Sequence, residues 1–125
     1  MRLLIDTHVL LWALAQPDRI SDPTRRRIED PNNVVLVSAV SAWEIEIKRA
    51  LGKLDAPGDL PEQMRRARFG ELPMHVRHVQ TLRALPALHR DPFDRMLIAQ
   101  AMTDDLVLIT NDDHIRAYAC KTLPC

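Results

Sequence analysis

The sequence has 125 residues, of which 46% are hydrophobic and 27% are charged, with three glycines and nine prolines. This length and composition predict one globular domain, residues 1–125, and argue against a disordered chain. The 17 basic and 17 acidic residues cancel, so a polyanionic partner must be held by a local patch and not by the overall charge.

The cysteines and the apolar segments indicate a cellular compartment. Cys120 and Cys125 are the only cysteines, and their spacing matches neither a metal-binding nor a redox motif. No apolar run is long enough to span a bilayer, and the N-terminal segment lacks the pattern of a signal peptide. We therefore expect a cytoplasmic protein with reduced thiols and no membrane partner.

The first half of the chain is predicted to alternate between strands and helices. The elements, in chain order, are a strand at 3–6, a helix at 7–15, a helix start at 21–23, a strand at 34–37 and a helix at 39–51. The strand at 34–37 consists only of valine and leucine, and such an apolar strand is typical of a sheet covered on both faces. The buried stripe of the helix at 39–51 is predicted to comprise Trp43, Ile47, Ala50 and Leu51.

The second half continues the alternation. Its elements are a helix at 59–70, a short strand at 72–74, a helix at 75–85, a helix at 93–102 capped by Asp91, a strand at 106–110 and an edge strand at 121–123. Strands that alternate with helices predict a parallel sheet with right-handed crossovers. The expected fold is a three-layer α/β/α sandwich with a central parallel sheet.

Four acidic residues stand close to predicted strand ends or helix starts. They are Asp6, Glu44, Asp94 and Asp112. Because parallel strands end on one edge of a sheet, where ligands of open α/β folds bind, these carboxylates are expected to form one anionic pocket. Such a pocket repels itself unless a cation fills it, and a hard divalent ion with oxygen ligands satisfies that requirement.

Taken singly, most of these acids have a structural alternative. Asp6 has the position of an N-cap, Glu44 could form a capping box with Ser41, and Asp112 suits a polar turn. Asp94 could be a favourable acidic residue in the first helical turn after the Asp91 cap, but it shares its helix face with the apolar Leu97, where an unpaired carboxylate would be costly. The four acids together favour a functional site.

Four motifs in this chain resemble those of PIN-domain ribonucleases, and within them most closely the VapC toxins of toxin-antitoxin pairs. The motifs are LIDTHV at 4–9, SAVSAWEI at 38–45, HRDPFDRMLIAQA at 89–101 and LITND at 108–112. The resemblance covers essentially the whole chain. It implies a catalytic acidic set of Asp6, Glu44, Asp94 and Asp112, with Thr110 as a hydroxyl that helps to hold the site. Asp113 is an additional acid beside the expected one.

The resemblance also implies the chemistry and the partners. An Mg²⁺-dependent endoribonuclease is expected, with Mn²⁺ able to substitute, as the toxin component of a type II toxin-antitoxin system. Its partners would be a cognate VapB-like antitoxin, an RNA substrate and a second copy in a homodimer. The amphipathic residues 54–72 either form a groove for an antitoxin helix or close the core.

Asp6 and Asp94 are the expected principal metal ligands, with Asp112 and Glu44 binding directly, through water or at a second metal position. One carboxylate is expected to accept the proton of the attacking water. Candidate RNA-binding cations are Arg90, Arg95 and Lys48. Core packing is the predicted role of both tryptophans, Trp12 and Trp43.

Two other functions were weighed. In a phosphoacceptor α/β domain Asp6 would be phosphorylated, but His8 replaces the acid that dehalogenase-like phosphatases need two residues after the nucleophile. The other alternative is a non-catalytic PIN-like module that binds RNA or a protein. The complete acidic set argues against this module.

Overall fold

The structure is a computed structural model, and it describes residues 1–56, 58–87, 91–116, 118 and 120–125. Across these ranges the chain forms a five-stranded, all-parallel sheet in the order β3-β2-β1-β4-β5. The strands are β1 (Arg2–Ile5), β2 (Val34–Ser38), β3 (Gly70–Leu72), β4 (Val107–Ile109) and β5 (Thr122–Leu123). In the central strand β1, Leu4 pairs with Leu36 on one side and with Leu108 on the other.

Helices connect the strands. They are α1 (Thr7–Ala15), α2 (Asp22–Glu29), α3 (Ala39–Ala50), α4 (Leu60–Ala67), α5 (Val76–Thr81), α6 (Pro92–Thr103) and α7 (Asp113–Arg116). Two 3₁₀ turns, Pro17–Arg19 and Leu82–Ala84, follow α1 and α5. Within the described ranges, none of these helices has the length and apolar character that a membrane crossing requires.

The sheet has a hydrophobic core on each face, because successive side chains of a strand point to opposite sides. Leu4 packs in one core with Ile98 of α6. Leu3 and Ile5 pack in the other core with Val9 of α1. The predicted three-layer α/β/α sandwich with a central parallel sheet is thus confirmed.

The region around β3 differs from the prediction. The helix expected at 59–70 ends at Ala67, because Arg68 adopts a left-handed conformation with φ of 61°. Gly70 starts β3 instead of closing the helix, so the predicted strand at 72–74 is shifted. A Cβ atom on Gly70 would lie 3.0 Å from the Leu36 side chain, so glycine allows β3 to lie close to β2.

The buried face of α3 was also predicted wrongly. Trp43 and Leu51 of the expected core stripe are 57% and 63% exposed. The buried face instead consists of Val40, Ser41, Glu44 and Ile45. Hydrophobicity alone selects the wrong side, because the buried polar groups on this helix have hydrogen-bond partners on other elements, as described below.

Candidate active site

Asp6 lies where β1 ends and α1 begins, at the edge of the sheet at which all five strands terminate. Its Oδ1 atom accepts a hydrogen bond of 2.8 Å from the Val9 amide, so the residue is the N-cap of α1. The side chain is buried and also accepts a hydrogen bond from the Thr110 hydroxyl. The predicted capping role is confirmed.

Asp112 reaches the same place from the neighbouring strand β4. Its amide donates to Thr110 Oγ1 at 3.0 Å, so Thr110 contacts both acids. Asp6 and Asp112 line a cavity of about 260 Å³ together with His8, Trp12 and Asn111. Asp113, in contrast, is the exposed first residue of α7, so only the first acid of this pair lines the cavity.

The environment of Asp6 changes its acidity. Burial raises the pKa of Asp6, and the nearby Asp112 carboxylate acts in the same direction. Hydrogen bonds from Thr110 and the Val9 amide, and the charge of His8, oppose this rise without cancelling it. Two carboxylates that face one cavity destabilise each other's charged form, and a bound cation would relieve this repulsion.

Glu44 is buried on α3, where its carboxylate has two donors. Thr7 Oγ1 donates to Oε1 at 2.6 Å, and Lys48 Nζ donates to Oε2 at 2.5 Å. The predicted capping box is wrong, because α3 begins earlier, with Ser38 as its N-cap. Thr7 directly follows Asp6, so Glu44 is connected to the cavity through a neighbouring residue.

Asp94 occupies the first turn of α6 and is half-buried. The helix is capped by Asp91, which accepts hydrogen bonds from the Phe93 and Asp94 amides at 2.8 and 3.2 Å. The hydrogen bond to Glu44 raises the pKa of Lys48 despite partial burial, and the charges of Glu44, Asp91 and Asp94 add to the effect. Lys48 therefore lies in the electrostatic field of both Glu44 and Asp94.

The predicted RNA-binding cations have different surroundings. Lys48 is paired with Glu44 as described. Arg95 donates from Nη1 to the Pro86 carbonyl at 3.0 Å and to the Tyr118 hydroxyl at 3.2 Å. Arg90 lies outside the described residues. Lys48 and Arg95 thus have partners within the protein. An RNA phosphate that binds either cation would have to share it with those partners.

The two tryptophans differ in their surroundings, since Trp12 packs against the core of the α1 face, as predicted, whereas Trp43 does not. Trp43 is exposed and makes an edge-to-face contact with Phe93, with ring centroids 5.2 Å apart. Trp12 is half-buried and forms a wall of the cavity that Asp6 lines. The Arg19 guanidinium lies 4.7 Å from the centre of the Trp12 ring. Core packing was the wrong prediction for Trp43, and Arg19 was not singled out by any local sequence pattern.

The chemistry of the site suits a hard divalent cation. The candidate ligands are carboxylates, and Mg²⁺ is commonly held by one or two carboxylates while it retains several waters. Asp6 and Asp112 supply two such groups at one cavity. In the described part of the chain, no three histidine, cysteine or acidic side chains converge as ligands on one point. The arrangement fits a partly hydrated ion, not an ion enclosed by protein ligands.

Comparison with known proteins agrees with this fold. The PIN domain family model matches residues 3–121, and the chain belongs to the PIN-domain family. It is 32% identical over 124 residues to Ribonuclease VapC22 of Mycobacterium tuberculosis, an alignment that covers 93% of this chain and 91% of that protein. A shorter alignment to Ribonuclease VapC16 of the same organism is 44% identical over 62 residues and spans 43% of that protein.

Solved structures show the same fold. A VapBC2 complex from Rickettsia felis bound to a promoter DNA fragment matches with a TM-score of 0.72 at 14% identity, covering 99% of this chain and 98% of that one. A VapBC-5 structure from Mycobacterium tuberculosis matches with a TM-score of 0.59 at 20% identity, covering 98% and 96%. Similarity to a VapC protein also extends over nearly the whole chain in sequence.

Proposed function

We propose that this protein is a metal-dependent endoribonuclease that hydrolyses RNA phosphodiester bonds as the toxin of a type II toxin-antitoxin system. The main supporting observation is that Asp6 and Asp112, which are 106 positions apart in the sequence, line one cavity at the carboxyl edge of the sheet. The names of the relatives VapC22 and VapC16 support ribonuclease activity. Residues 1–125 would act as one domain, since one sheet carries both cores.

The proposed metal is Mg²⁺, for which Mn²⁺ can substitute. Asp6 and Asp94 are the proposed principal ligands, with Asp112 and Glu44 binding directly, through water or at a second position; Asp112 lines the same cavity as Asp6. When bound, a divalent ion lowers the pKa of a coordinated water and neutralises charge on the phosphate.

The protein's own residues orient these acids. Thr110 donates to the Asp6 carboxylate and accepts from the Asp112 amide, so it links the Asp6 side chain to the backbone of Asp112. Thr7 orients Glu44 in the same way. One of the carboxylates would accept the proton of the attacking water. Lys48, Arg95 and Arg90 are the proposed contacts to RNA phosphates.

The decisive experiment is incubation of purified protein with total cellular RNA in Mg²⁺ or Mn²⁺, in EDTA, and with the Asp94→Ala variant. Discrete cuts that require the metal and disappear in the variant are the expected result. Intact RNA under every condition, from protein free of any inhibitor, would instead favour the non-catalytic binding module. The ion pair between Glu44 and Lys48 supports that alternative, because it neutralises one of the four candidate metal-binding acids.

The proposed antitoxin contact is a groove between α3 and α4. A cavity of about 490 Å³ is lined there by Leu60, Pro61, Met64 and Phe69, facing Ala42. Glu46, Arg65 and Glu71 provide charge around it. An apolar groove with a charged margin suits an amphipathic helix, and several structural neighbours are named as VapBC complexes.

We also propose that the protein forms a homodimer through the exposed side of α3. Trp43, Ile47 and Leu51 follow one another at intervals of four residues and therefore lie along one stripe. Trp43 and Leu51 are both more than half exposed, and Ile47 is half-buried. An exposed apolar stripe of this kind commonly marks a protein interface.

A further inference from the structure

We propose that Arg19, held against the ring of Trp12, binds an RNA phosphate and so positions the strand at the acidic cavity. This inference rests on the proposed ribonuclease function and names a residue that the site described above did not include. Its starting point is the contact of 4.7 Å between the Arg19 guanidinium and the centre of the Trp12 ring.

Trp12 places this arginine beside the acidic site. Its ring belongs to the lining of the same cavity as Asp6 and Asp112. Arg19 ends the 3₁₀ turn Pro17–Arg19 that follows α1, so it approaches the cavity from a different segment than the acids do. A cation over the ring is attracted to the aromatic face, which holds the guanidinium against a residue of the cavity lining.

The charge of Arg19 is available for a ligand. Its side chain is exposed, and its polar contact is one hydrogen bond of 3.4 Å from Nη1 to Gln16 Oε1. Across the residues that the structure describes, it forms no ion pair with a carboxylate. Arg25 offers a contrast nearby, because it is bound to Asp18 and Asp22 at 3.2 and 3.4 Å. The guanidinium of Arg19 thus retains unused donors.

An anionic cavity that acts on RNA needs positive charge at its border, since carboxylates repel the phosphates they must approach. Arginine suits this position because its planar guanidinium can donate two hydrogen bonds to one phosphate while it stacks on an aromatic ring. Because Arg19 contacts the lining residue Trp12 but does not itself line the cavity, it would hold a phosphate next to the reacting one. Arg19 is accordingly a positioning residue in this proposal.

The test measures binding of a fluorescently labelled, mixed-sequence single-stranded RNA across a series of salt concentrations, with Ca²⁺ in place of Mg²⁺. Wild type is compared with Arg19→Gln, Arg19→Lys and Arg2→Gln. Arg2 is a matched control, because it is an exposed arginine at the opposite end of β1 from Asp6. Mn²⁺ binding to each variant is measured in parallel.

Arg19→Gln is expected to weaken RNA binding about tenfold, which is the effect of losing one charge-assisted hydrogen bond. The slope of log affinity against log salt should fall by about 0.7, the value for one phosphate contact on a single strand. Arg19→Lys should retain the slope but bind less tightly than wild type, whereas Arg2→Gln should match wild type. Affinity for Mn²⁺ should be unchanged in all variants.

Wild-type RNA binding with an unchanged salt slope in Arg19→Gln would overturn this inference and leave the proposed function intact. An equal loss in Arg2→Gln would also overturn it, because the effect would then come from net charge. Absence of RNA binding and cleavage by the wild type would overturn the proposed function, and this inference with it.

Discussion

At the scale of single residues, Asp6 combines two roles that sequence interpretation treats as alternatives. One carboxylate oxygen caps α1 by accepting the Val9 amide, and the side chain also lines the acidic cavity. The cap fixes the orientation of the carboxylate, so it prepares the group for a ligand. Structural and functional readings of such a residue are therefore compatible.

Asp6→Asn should raise the melting temperature of the metal-free protein at neutral pH by a few degrees (~1 kcal/mol). Burial raises the pKa of Asp6, so the folded protein binds more protons than the unfolded chain between the two pKa values. The free energy of unfolding of the wild type therefore decreases as pH rises through that interval. Asparagine does not ionise and can still cap α1, so the variant does not lose this stability. The stabilisation that Mn²⁺ gives the wild type should disappear in the variant. Thermal melts in EDTA and in Mn²⁺, at several pH values, check both effects; an Asp6→Asn variant that Mn²⁺ still stabilises would contradict the metal assignment.

Asp112 and Asp113 provide a matched pair for testing the site. Asp112→Asn should lower the rate of RNA cleavage by about 100-fold, because it removes a carboxylate from the cavity. Asp113→Asn should change the rate less than about threefold, since its side chain lies outside the cavity at the exposed start of α7. Initial rates of cleavage of one RNA substrate by the two variants check this prediction. A larger loss of rate in Asp113→Asn than in Asp112→Asn would assign Asp113 to the site instead of Asp112.

The sequence predicted which acids lie at the strand ends, but it did not predict how they are connected. The strand-end rule and the cap pattern were sufficient for Asp6, whereas Asp112 was separated from its neighbour Asp113 only by the resemblance to PIN-domain ribonucleases. The contact of Thr7 with Glu44 joins α1 to α3, and no local pattern encodes it. The exposure of Trp43 was missed for the same reason, since the buried side of α3 is selected by polar partners on other elements.

At the scale of elements, α5 and the end of α6 are joined by an ionic cluster. Asp104 accepts two hydrogen bonds of 3.2 Å from Arg77 and faces His78 Nε2 at 2.9 Å. His78 Nδ1 accepts the His75 amide at 3.0 Å, so the proton of the neutral ring is on Nε2 and is donated to Asp104. The cluster fixes the tautomer of a histidine that is fully buried.

Asp104→Asn should destabilise the protein by about 1–2 kcal/mol at neutral pH through loss of charge-assisted hydrogen bonds. Burial acts to raise the pKa of Asp104, but the hydrogen bonds from Arg77 and His78 outweigh it and leave the pKa below its ordinary value. The folded protein then binds fewer protons than the unfolded chain, so this contribution is present above the unfolded pKa and is lost as pH falls through the folded pKa. Urea unfolding at a series of acidic pH values should show that the free energy of unfolding falls less steeply with decreasing pH in the variant than in the wild type. The same pH dependence in both proteins would refute this role of Asp104.

Element types were more predictable than element boundaries. Long periodic or apolar segments such as α1, β2 and α6 appear within one or two residues of their predicted limits. The region around β3 was misplaced because its boundary depends on the left-handed conformation of Arg68, and arginine gives no sequence signal for that conformation. The short helix α7 was missed because its four residues resemble a polar loop.

At the scale of the whole molecule, the net charge is zero, so binding of the protein to its partners depends on local surface features and not on the overall charge. The stripe of Trp43, Ile47 and Leu51 on α3 is the surface proposed for the homodimer. Ile47 and Leu51 stand three and seven positions after Glu44, so the stripe runs beside the buried Glu44 on α3. Self-association would therefore occur next to the element that carries one of the candidate acids.

Leu51→Lys should shift the protein from dimer to monomer, because a charged side chain would be desolvated in the interface. Val76→Lys is the matched control, since Val76 is 74% exposed and lies on α5 while Leu51 is 63% exposed. Sedimentation velocity over a range of protein concentrations gives the association state. A wild type that is monomeric at every concentration, or a Leu51→Lys variant that remains dimeric, would exclude this interface.

The central position of β1 determines when the cavity forms during synthesis. This strand is synthesised more than 100 positions before its partner β4 and the acid that follows β4. A nascent chain that has not reached Asp112 lacks one wall of the cavity and the Thr110 hydroxyl that holds Asp6. The acidic site therefore stays incomplete on the ribosome from the synthesis of β1 until Asp112 has been added, which delays the proposed activity relative to the folding of the first strand.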